Sequence, residues 1–376
     1  MSTMLQTVVK EGIDVNTLQS MLDSGQPVTV LDVRTTADRA EWAIPGSLHV
    51  DAYDALKAGE PDALAGVVLP DETTVVTVCG AGKVSLVAAE QLRARGFDAH
   101  SLAGGMKAWS LAWNTAEVAL PDSAATVVQV RRTGKGCLSY LIGSGGEAAV
   151  VDASLAPEVY QELAVKHGWG IRHVLDTHVH ADHLSRARVL AERTGATLHL
   201  PATNRVAYPF AGLREGGVLA IGDARLTALR TPGHTPEAMC YLLDDAALFT
   251  GDTLFLSGVG RPDLEASAGE ARERARLLWG SLRRLVAHPP ETLVLPGHTS
   301  GPIAFDGVPI AATLAEVAAR VPTLGLGETA FVETILARLP PTPPNHAAIV
   351  AFNETGETPT GDPTDLEAGA NRCAVA

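Results

Sequence analysis

The sequence predicts an α/β protein of two unlike halves, and three observations carry that reading. Short runs of apolar, β-branched residues alternate with helical periodicity, as expected of strand–loop–helix units on a parallel sheet. In the second half, histidines and aspartates stand directly behind four separate apolar runs. The chain has 376 residues, 46% apolar and 19% charged, enough for two ordinary domains or three small ones and too apolar for wholesale disorder. Its formal net charge of −14 gives no general pull toward nucleic acid or anionic membranes.

The first half is read as residues 1–120. Met1 to Gly12 shows no basic patch followed by an apolar run, so no secretory signal is expected, and no stretch reaches the length needed to span a bilayer. Val28-Thr-Val-Leu-Asp-Val33 and Val75-Val-Thr-Val-Cys79 read as buried strands. Behind the second, Ser85 to Arg95 has Leu86, Ala89 and Leu92 on one helical face, and Gly96 supplies a stop. Asn114 to Ala125 holds Pro121, Asp122 and Ser123 without a clear period and reads as a linker.

The second half, residues 121–376, offers strands at Ala148–Asp152, His173–Asp176, Leu226–Leu229, Ala246–Thr250 and Thr292–Leu295. Gly269 to Val286, rich in Arg and Leu, reads as one helix. Beyond Gly301 short helical stretches lead into a proline-rich tail, where Pro340-Pro-Thr-Pro-Pro344 is expected to be extended.

Five of the twelve histidines fall in one pattern. His178-Val-His180-Ala-Asp182-His183 follows one predicted strand, His234 a second, Asp252 a third and His298 a fourth. The ends of sheet strands are where loops converge and ligands bind. Neutral imidazole is the commonest metal ligand, and a carboxylate compensates charge. Glycine precedes His234, Asp252 and His298, permitting tight turns that aim these side chains back over the sheet edge.

This order of HxHxDH, distant His, Gly-Asp and Pro-Gly-His resembles the metallo-β-lactamase superfamily, over about Thr126 to Val321. The resemblance implies an αββα sandwich with a metal site at one edge. Within it, Thr250-Gly-Asp-Thr-Leu-Phe-Leu-Ser-Gly-Val-Gly-Arg-Pro-Asp263 is similar to the ETHE-type persulfide dioxygenases. Glyoxalase II enzymes share the start of that segment but continue into Phe-Glu-Gly. The dioxygenase resemblance implies one Fe(II) held by His178, His234 and Asp252, a two-histidine, one-carboxylate set that leaves positions open for O2 and a substrate sulfur. His180, Asp182, His183 and His298 would then orient those ligands; in a hydrolase the same four would bind metal, and the cofactor would be two zinc ions. Arg261 has two readings, as a binder of an anionic part of the substrate or as a structural salt bridge. Val259 stands where others carry Cys, Thr299-Ser300 where the dioxygenases often have Asp-Tyr, and Thr-Pro-Glu-Ala-Met-Cys follows His234 where many members place Thr, any residue, then Gly.

In the first half, Cys79-Gly80-Ala81-Gly82-Lys83-Val84-Ser85 joins a strand to a helix. Small residues let the backbone curl round the sulfur, and backbone N–H groups with the positive end of a helix favour an anion there. With Leu31-Asp-Val-Arg34, Ile44-Pro-Gly-Ser-Leu-His49 and Leu102-Ala-Gly-Gly-Met-Lys-Ala-Trp109, this resembles a single-domain rhodanese. The resemblance implies that Cys79 carries sulfane sulfur as a persulfide and that Asp32 and Arg34 are structural. Lys83 stands where the usual loop has Arg.

Cys137 and Cys240 lie in apolar stretches and read as core packing. Cys373-Ala-Val-Ala376 fits a prenylation pattern by letters, and Asn353-Glu-Thr355 a glycosylation sequon; both read as chance. Four scattered cysteines point to a reducing cytoplasm. The expected activity is persulfide dioxygenase plus sulfurtransferase, acting on a small-molecule persulfide, O2, and sulfite or thiosulfate, with no nucleic acid or membrane partner and a homodimer allowed. The alternatives are a two-metal thioester hydrolase of glyoxalase II type, and a rhodanese half that binds sulfur or docks a partner without turnover.

Overall fold

The structure is a computed structural model that describes residues 12–121, 123–299 and 301–375. The expectations for the N-terminal segment up to residue 11, and for Asp122 and Ser300, lie outside the described residues.

A four-stranded parallel sheet forms the first half, in the order Leu48–His49, Val28–Asp32, Thr74–Val78, Ala99–Ser101. Side chains alternate across it. Leu31 and Val75 pack with Ala88, Ala89 and Leu92 of the helix Lys83–Ala94. Val30, Val76 and Val78 pack on the other face with Leu18, Met106 and Trp109. Both faces are covered, which is why these strands read as continuous apolar runs. Asp32 and Arg34 form a buried ion pair at 2.6 Å, and the Arg34 Nη2 also donates to the Trp42 carbonyl, so the pair ties the end of the first strand to the chain that follows.

The second half is two facing sheets with helices outside each, an αββα sandwich. Seven strands make one sheet, in the order Ala211–Leu213, Thr197–Pro201, Gly170–Leu175, Glu147–Val151, Cys137–Ser144, Thr126–Arg132, Asn114–Val118. Six make the other, in the order Val218–Ile221, Ala224–Arg230, Met239–Leu243, Ala247–Gly251, Leu293–Pro296, Ala312–Thr313. Val127, Tyr140, Ile142, Val151 and Leu175 meet Leu226, Met239, Tyr241 and Phe249 between the sheets. The alternate residues Val128, Leu141 and Val150 face the helices Pro157–His167 and Ala187–Thr194. Cys240, Leu242, Leu248 and Val294 face the helix Ala268–Leu285, which opens on a capping box between Ser267 and Glu270.

One expectation is corrected. Asn114 to Ala125 is not a linker over its whole length: Asn114–Val118 is an edge strand, antiparallel to Thr126–Arg132. Ala116 and Val118 are buried and Glu117 exposed. That alternation spans too few residues to stand out from a turn-rich segment. Pro340–Pro344 forms neither helix nor strand. No helix among the described residues is long and apolar enough to cross a membrane.

The halves are tied by polar and aromatic contacts. Arg132 Nε donates to the Ser110 carbonyl at 2.7 Å, Thr133 Oγ1 to Gln19 Oε1 at 2.7 Å, and Trp109 meets Phe305 edge to face. A carboxylate far along the chain completes the link. Glu367, 1% exposed, accepts from Arg132 Nη2 at 2.7 Å, Arg186 Nη2 at 2.9 Å and the Leu184 backbone N–H at 3.0 Å. Burial opposes its charge, but Arg132 and Arg186 hold its carboxyl down at about 2.

Glu367→Gln is therefore expected to cost about 3–5 kcal/mol, because it leaves the buried Arg132 without its counter-charge; denaturant unfolding of the variant measures it. The sign in pH follows from a lowered carboxyl. The contribution of Glu367 is complete above its ordinary value of 4.5 and is lost as pH falls toward about 2, so the difference between wild type and variant shrinks across that window.

Candidate metal centre and cysteine loop

Five strands deliver the site from their carboxyl ends. Asp152 follows Glu147–Val151, the His178–His183 loop follows Gly170–Leu175, His234 follows Ala224–Arg230, Asp252 follows Ala247–Gly251 and His298 follows Leu293–Pro296. Two of the glycines work in different ways. Gly251 has φ +47 and makes a turn. Gly297 is needed for space, since a Cβ there would come within 2.9 Å of Asp252 Oδ1.

The seven residues of the pattern sort into three buried groups. His178, His234 and Asp252 form one, with ligand atoms all within 4.8 Å of one another. Asp252 Oδ2 lies 4.0 Å from His178 Nε2 and 3.6 Å from His234 Nε2. The far nitrogens are engaged: His178 Nδ1 with Thr177 Oγ1 at 2.9 Å, and His234 Nδ1 with the Arg261 carbonyl at 2.8 Å. His178 Nε2 and Asp252 Oδ2 are buried without a hydrogen-bond partner among the described residues. Buried polar atoms are rarely left so, and orphans that converge fit a cation. Burial holds His178 and His234 below the usual imidazole range, in the neutral form that ligates. Burial opposes the Asp252 charge, but His298, with His178 and His234, outweighs it and keeps the carboxylate ionised.

Asp182, His183 and His298 gather in a second group, together with Cys137. Asp182 Oδ2 is 2.7 Å from His298 Nε2, and Asp182 Oδ1 is 3.0 Å from His183 Nδ1. His298 also reaches back to the first group, its Nδ1 2.5 Å from Asp252 Oδ1. Burial and Asp182 favour the neutral Cys137 thiol, yet His298 and His183 bring it down to about 6. His180 stands apart, in a third group. Its Nε2 lies 3.2 Å from Asp152 Oδ1 and 3.8 Å from Asp176 Oδ1. Burial works against its charge, but these two carboxylates raise it well above the usual range.

Several placements correct the sequence reading. Cys137 is not simple core packing, because its Sγ sits 3.4 Å from Asp182 Oδ2. Cys373 Sγ lies within 4.8 Å of candidate ligand atoms of Asp252 and His298; burial, Asp252 and Asp182 push its thiol up. Of its two readings, Arg261 matches the structural salt bridge. Its guanidinium is fully buried, binds Asp263 through Nε and Nη2, and donates Nη1 to the carbonyls of Pro341 and Arg372. Cys240 does pack in the core, and burial pushes its thiol up to about 11. Asp152 and Asp176 were missed, although both end an apolar run as the chosen residues do. Asp152 also takes the Thr177 N–H at 2.7 Å and so braces the histidine loop.

The cysteine loop is built by close backbone approach. Cys79 directly follows the strand Thr74–Val78, and Gly82, at φ +82, precedes the helix Lys83–Ala94. The carbonyls of Cys79 and Gly80 accept from the N–H groups of Met106 and Lys107. Gly105 permits this, since a Cβ there would lie 2.3 Å from the Cys79 carbonyl oxygen. Ser85 donates to Cys79 Sγ from its N–H at 3.4 Å and from Oγ at 3.3 Å, and Ser85 Oγ contacts Ser101 Oγ. Cys79 is buried, while Gly80, Ala81 and Lys83 are exposed and Val84 is half-buried. The loop can thus stabilise a negative sulfur beneath a rim that solutes reach.

Two substitutions test the first group. Asp252→Asn is expected to abolish metal binding, read by metal content after dialysis. His180→Ala should retain the metal but weaken it about 10–100-fold, as loss of a bracing residue does, read by chelator competition.

The comparisons agree with this geometry. Residues 132–298 match the family described as Metallo-beta-lactamase superfamily, and residues 14–112 the Rhodanese-like domain. A hydroxyacylglutathione hydrolase of Methylococcus capsulatus is 38% identical over 202 residues, covering 52% of this chain and 75% of the relative. One from Rhodospirillum rubrum is 39% identical over 162 residues, covering 41% of this chain, and the chain spans only 57% of that relative's length. Among solved structures, ETHE1 from Myxococcus xanthus aligns at TM-score 0.52 and 29% identity over 65% of this chain and 99% of its own. A metallo-beta-lactamase from Staphylococcus aureus aligns at TM-score 0.57 and 26% identity, over 63% of this chain and 74% of its own. With its facing sheets and a histidine-aspartate cluster at their rim, the chain belongs to the metallo-β-lactamase superfamily and carries a rhodanese-like domain ahead of that fold.

Proposed function

We propose that the chain is a bifunctional sulfur enzyme. Its second half oxidises a low-molecular-weight thiol persulfide, such as glutathione persulfide, with O2 to give sulfite and the free thiol. Its first half handles sulfane sulfur as a persulfide on Cys79. The observation that carries this reading is the separation of His178, His234 and Asp252 from the rest of the histidine loop, with His180 turned to Asp152 and Asp176. A single Fe(II) on two imidazoles and one carboxylate retains open positions, and that is the chemistry the metal supplies when bound.

The chain's own residues do the remaining work. The Thr177 hydroxyl and the Arg261 carbonyl hold His178 and His234 with their Nε2 atoms inward. Asp152 and Asp176 hold His180 as an imidazolium that adds positive charge behind the site. The resemblance of the Thr250–Asp263 segment to the persulfide dioxygenases and the alignment with the Myxococcus xanthus ETHE1 structure support the reading.

In the first half, the Cys79 thiolate attacks the outer sulfur of thiosulfate. The S–S bond breaks, sulfite leaves with the electron pair, and Cys79 keeps the sulfur as a persulfide. Cys79 can equally attack the outer sulfur of glutathione persulfide, releasing the glutathione thiolate, and sulfite made by the second half then takes that sulfur from Cys79 and leaves as thiosulfate. Ser85 N–H and Oγ, aimed at Sγ, stabilise the anionic sulfur in both directions.

A specific observation favours a second reading. Asp182, His183 and His298 gather beside Asp252 as a second metal would require, and the Methylococcus capsulatus and Rhodospirillum rubrum relatives bear the name hydroxyacylglutathione hydrolase. The chain would then be a two-metal thioester hydrolase.

Metal analysis of protein purified without air, paired with O2 uptake on adding glutathione persulfide, separates the two. About one iron per chain with rapid uptake is expected; two zinc ions without uptake would favour the hydrolase. For the coupling, Cys79→Ser should leave O2 uptake intact and remove the thiosulfate formed from persulfide. An unchanged thiosulfate yield would sink the coupling.

A further inference from the structure

The segment from Glu367 to Val375 is held over the metal centre by contacts with several remote parts of the second half. Glu367 anchors its start through Arg132, Arg186 and the Leu184 N–H. Asn371 Nδ2 donates to Asp182 Oδ2 at 3.1 Å, and Asn371 Oδ1 accepts from the Cys373 N–H at 2.9 Å. The Arg261 N–H donates to the Cys373 carbonyl at 3.1 Å, and Arg261 Nη1 to the Arg372 carbonyl at 3.2 Å. Ala374–Val375 then pairs antiparallel with Val259–Gly260, and Val375 enters the core beneath the long helix. Cys373 is fixed from both sides.

Its position is not that of a packing cysteine. Cys373 Sγ lies within 4.8 Å of the ligand atoms of Asp252 and His298. A cysteine that merely packs behaves as a small hydrophobe, and carboxylates are poor neighbours for one. A second observation is independent of the cysteine. His178 Nε2 and Asp252 Oδ2, both on buried residues, lack hydrogen-bond partners among the described residues, and Asp252 belongs both to their group and to that of Cys373. They are 4.0 Å apart, so one ion could bind both.

We propose that Cys373 is a ligand this chain supplies to its own metal ion, so that the Asn371–Val375 segment occupies the place of a substrate sulfur as a displaceable cap. Coordination forms one metal–sulfur bond and breaks the S–H bond, with the proton released to solvent and no electron transferred. A substrate sulfur enters by exchanging for Cys373, whose sulfur takes a proton back from solvent as it leaves the metal. The groove of about 370 Å³ between the halves, lined by Trp42, Ile44, Gly136, Thr299 and Asn371, gives the displaced segment room. The inference rests on the metal centre but on neither choice of reaction.

The test uses the full chain loaded with Co(II) alone. Wild type and Cys137→Ser are expected to show visible ligand-field bands and an intense near-ultraviolet thiolate-to-cobalt charge-transfer band. Cys373→Ser should keep the ligand-field bands, lose the charge-transfer band and bind Co(II) at least about tenfold more weakly. Asn371→Asp retains every cysteine but sets a carboxylate against Asp182, and should weaken the same band. Ligand-field bands without a charge-transfer band in wild type would overturn the proposal and leave the metal centre standing. So would a charge-transfer band that survives in Cys373→Ser or is unchanged in Asn371→Asp. Absence of both bands would overturn the metal centre and the cap together.

Discussion

The Asp252 carboxylate is 2% exposed, with His298 on one oxygen and His178 and His234 facing the other. An ionised group at that depth is costly unless opposite charge and hydrogen bonds surround it. The fold supplies them by ending five strands of two different sheets at one rim. Each strand contributes a polar residue where its apolar run stops, so the burial that makes the sandwich stable also strips water from the charges it gathers. His178 and His234 stay neutral because burial penalises their charged form. His180 and His298 stay charged because carboxylates flank them. The division between ligand-ready and charge-balancing histidines follows from which carboxylates each one meets.

That division also limits how the two halves are used. The rhodanese-like half holds its cysteine by contacts within its own strand, loop and helices, with Gly105 against the Cys79 carbonyl. The second half depends on a segment remote in sequence: Glu367 braces Arg132, next to the interface, and Leu184, next to the histidine loop. One buried carboxylate therefore couples the interface between halves to the geometry around the metal centre.

Much of the fold was legible because its signals are local. The strands around Leu31 and Val76, the helix Ala268–Leu285 and the Cys79 loop each announce themselves within a few residues, through continuous apolar runs, an Arg- and Leu-rich stretch and small residues at a strand end. Asn114–Val118 escaped because two inward residues are too few to establish a period. The pattern around His178, His234 and Asp252 was legible because metal chemistry restricts residue types, and because glycines next to them allow close approach.

By itself the sequence determined two α/β halves, the residues behind the strand ends and the cysteine loop, since each depends on neighbours along the chain. Tertiary structure alone decided which of those residues share a group. His180 turns to Asp152 and Asp176, Cys137 joins Asp182, Arg261 closes on Asp263 and two carbonyls, and Cys373 arrives beside Asp252. The physical reason is that these contacts join residues up to more than a hundred positions apart. Their meeting is set by where strands end and how sheets face, and no local period records that.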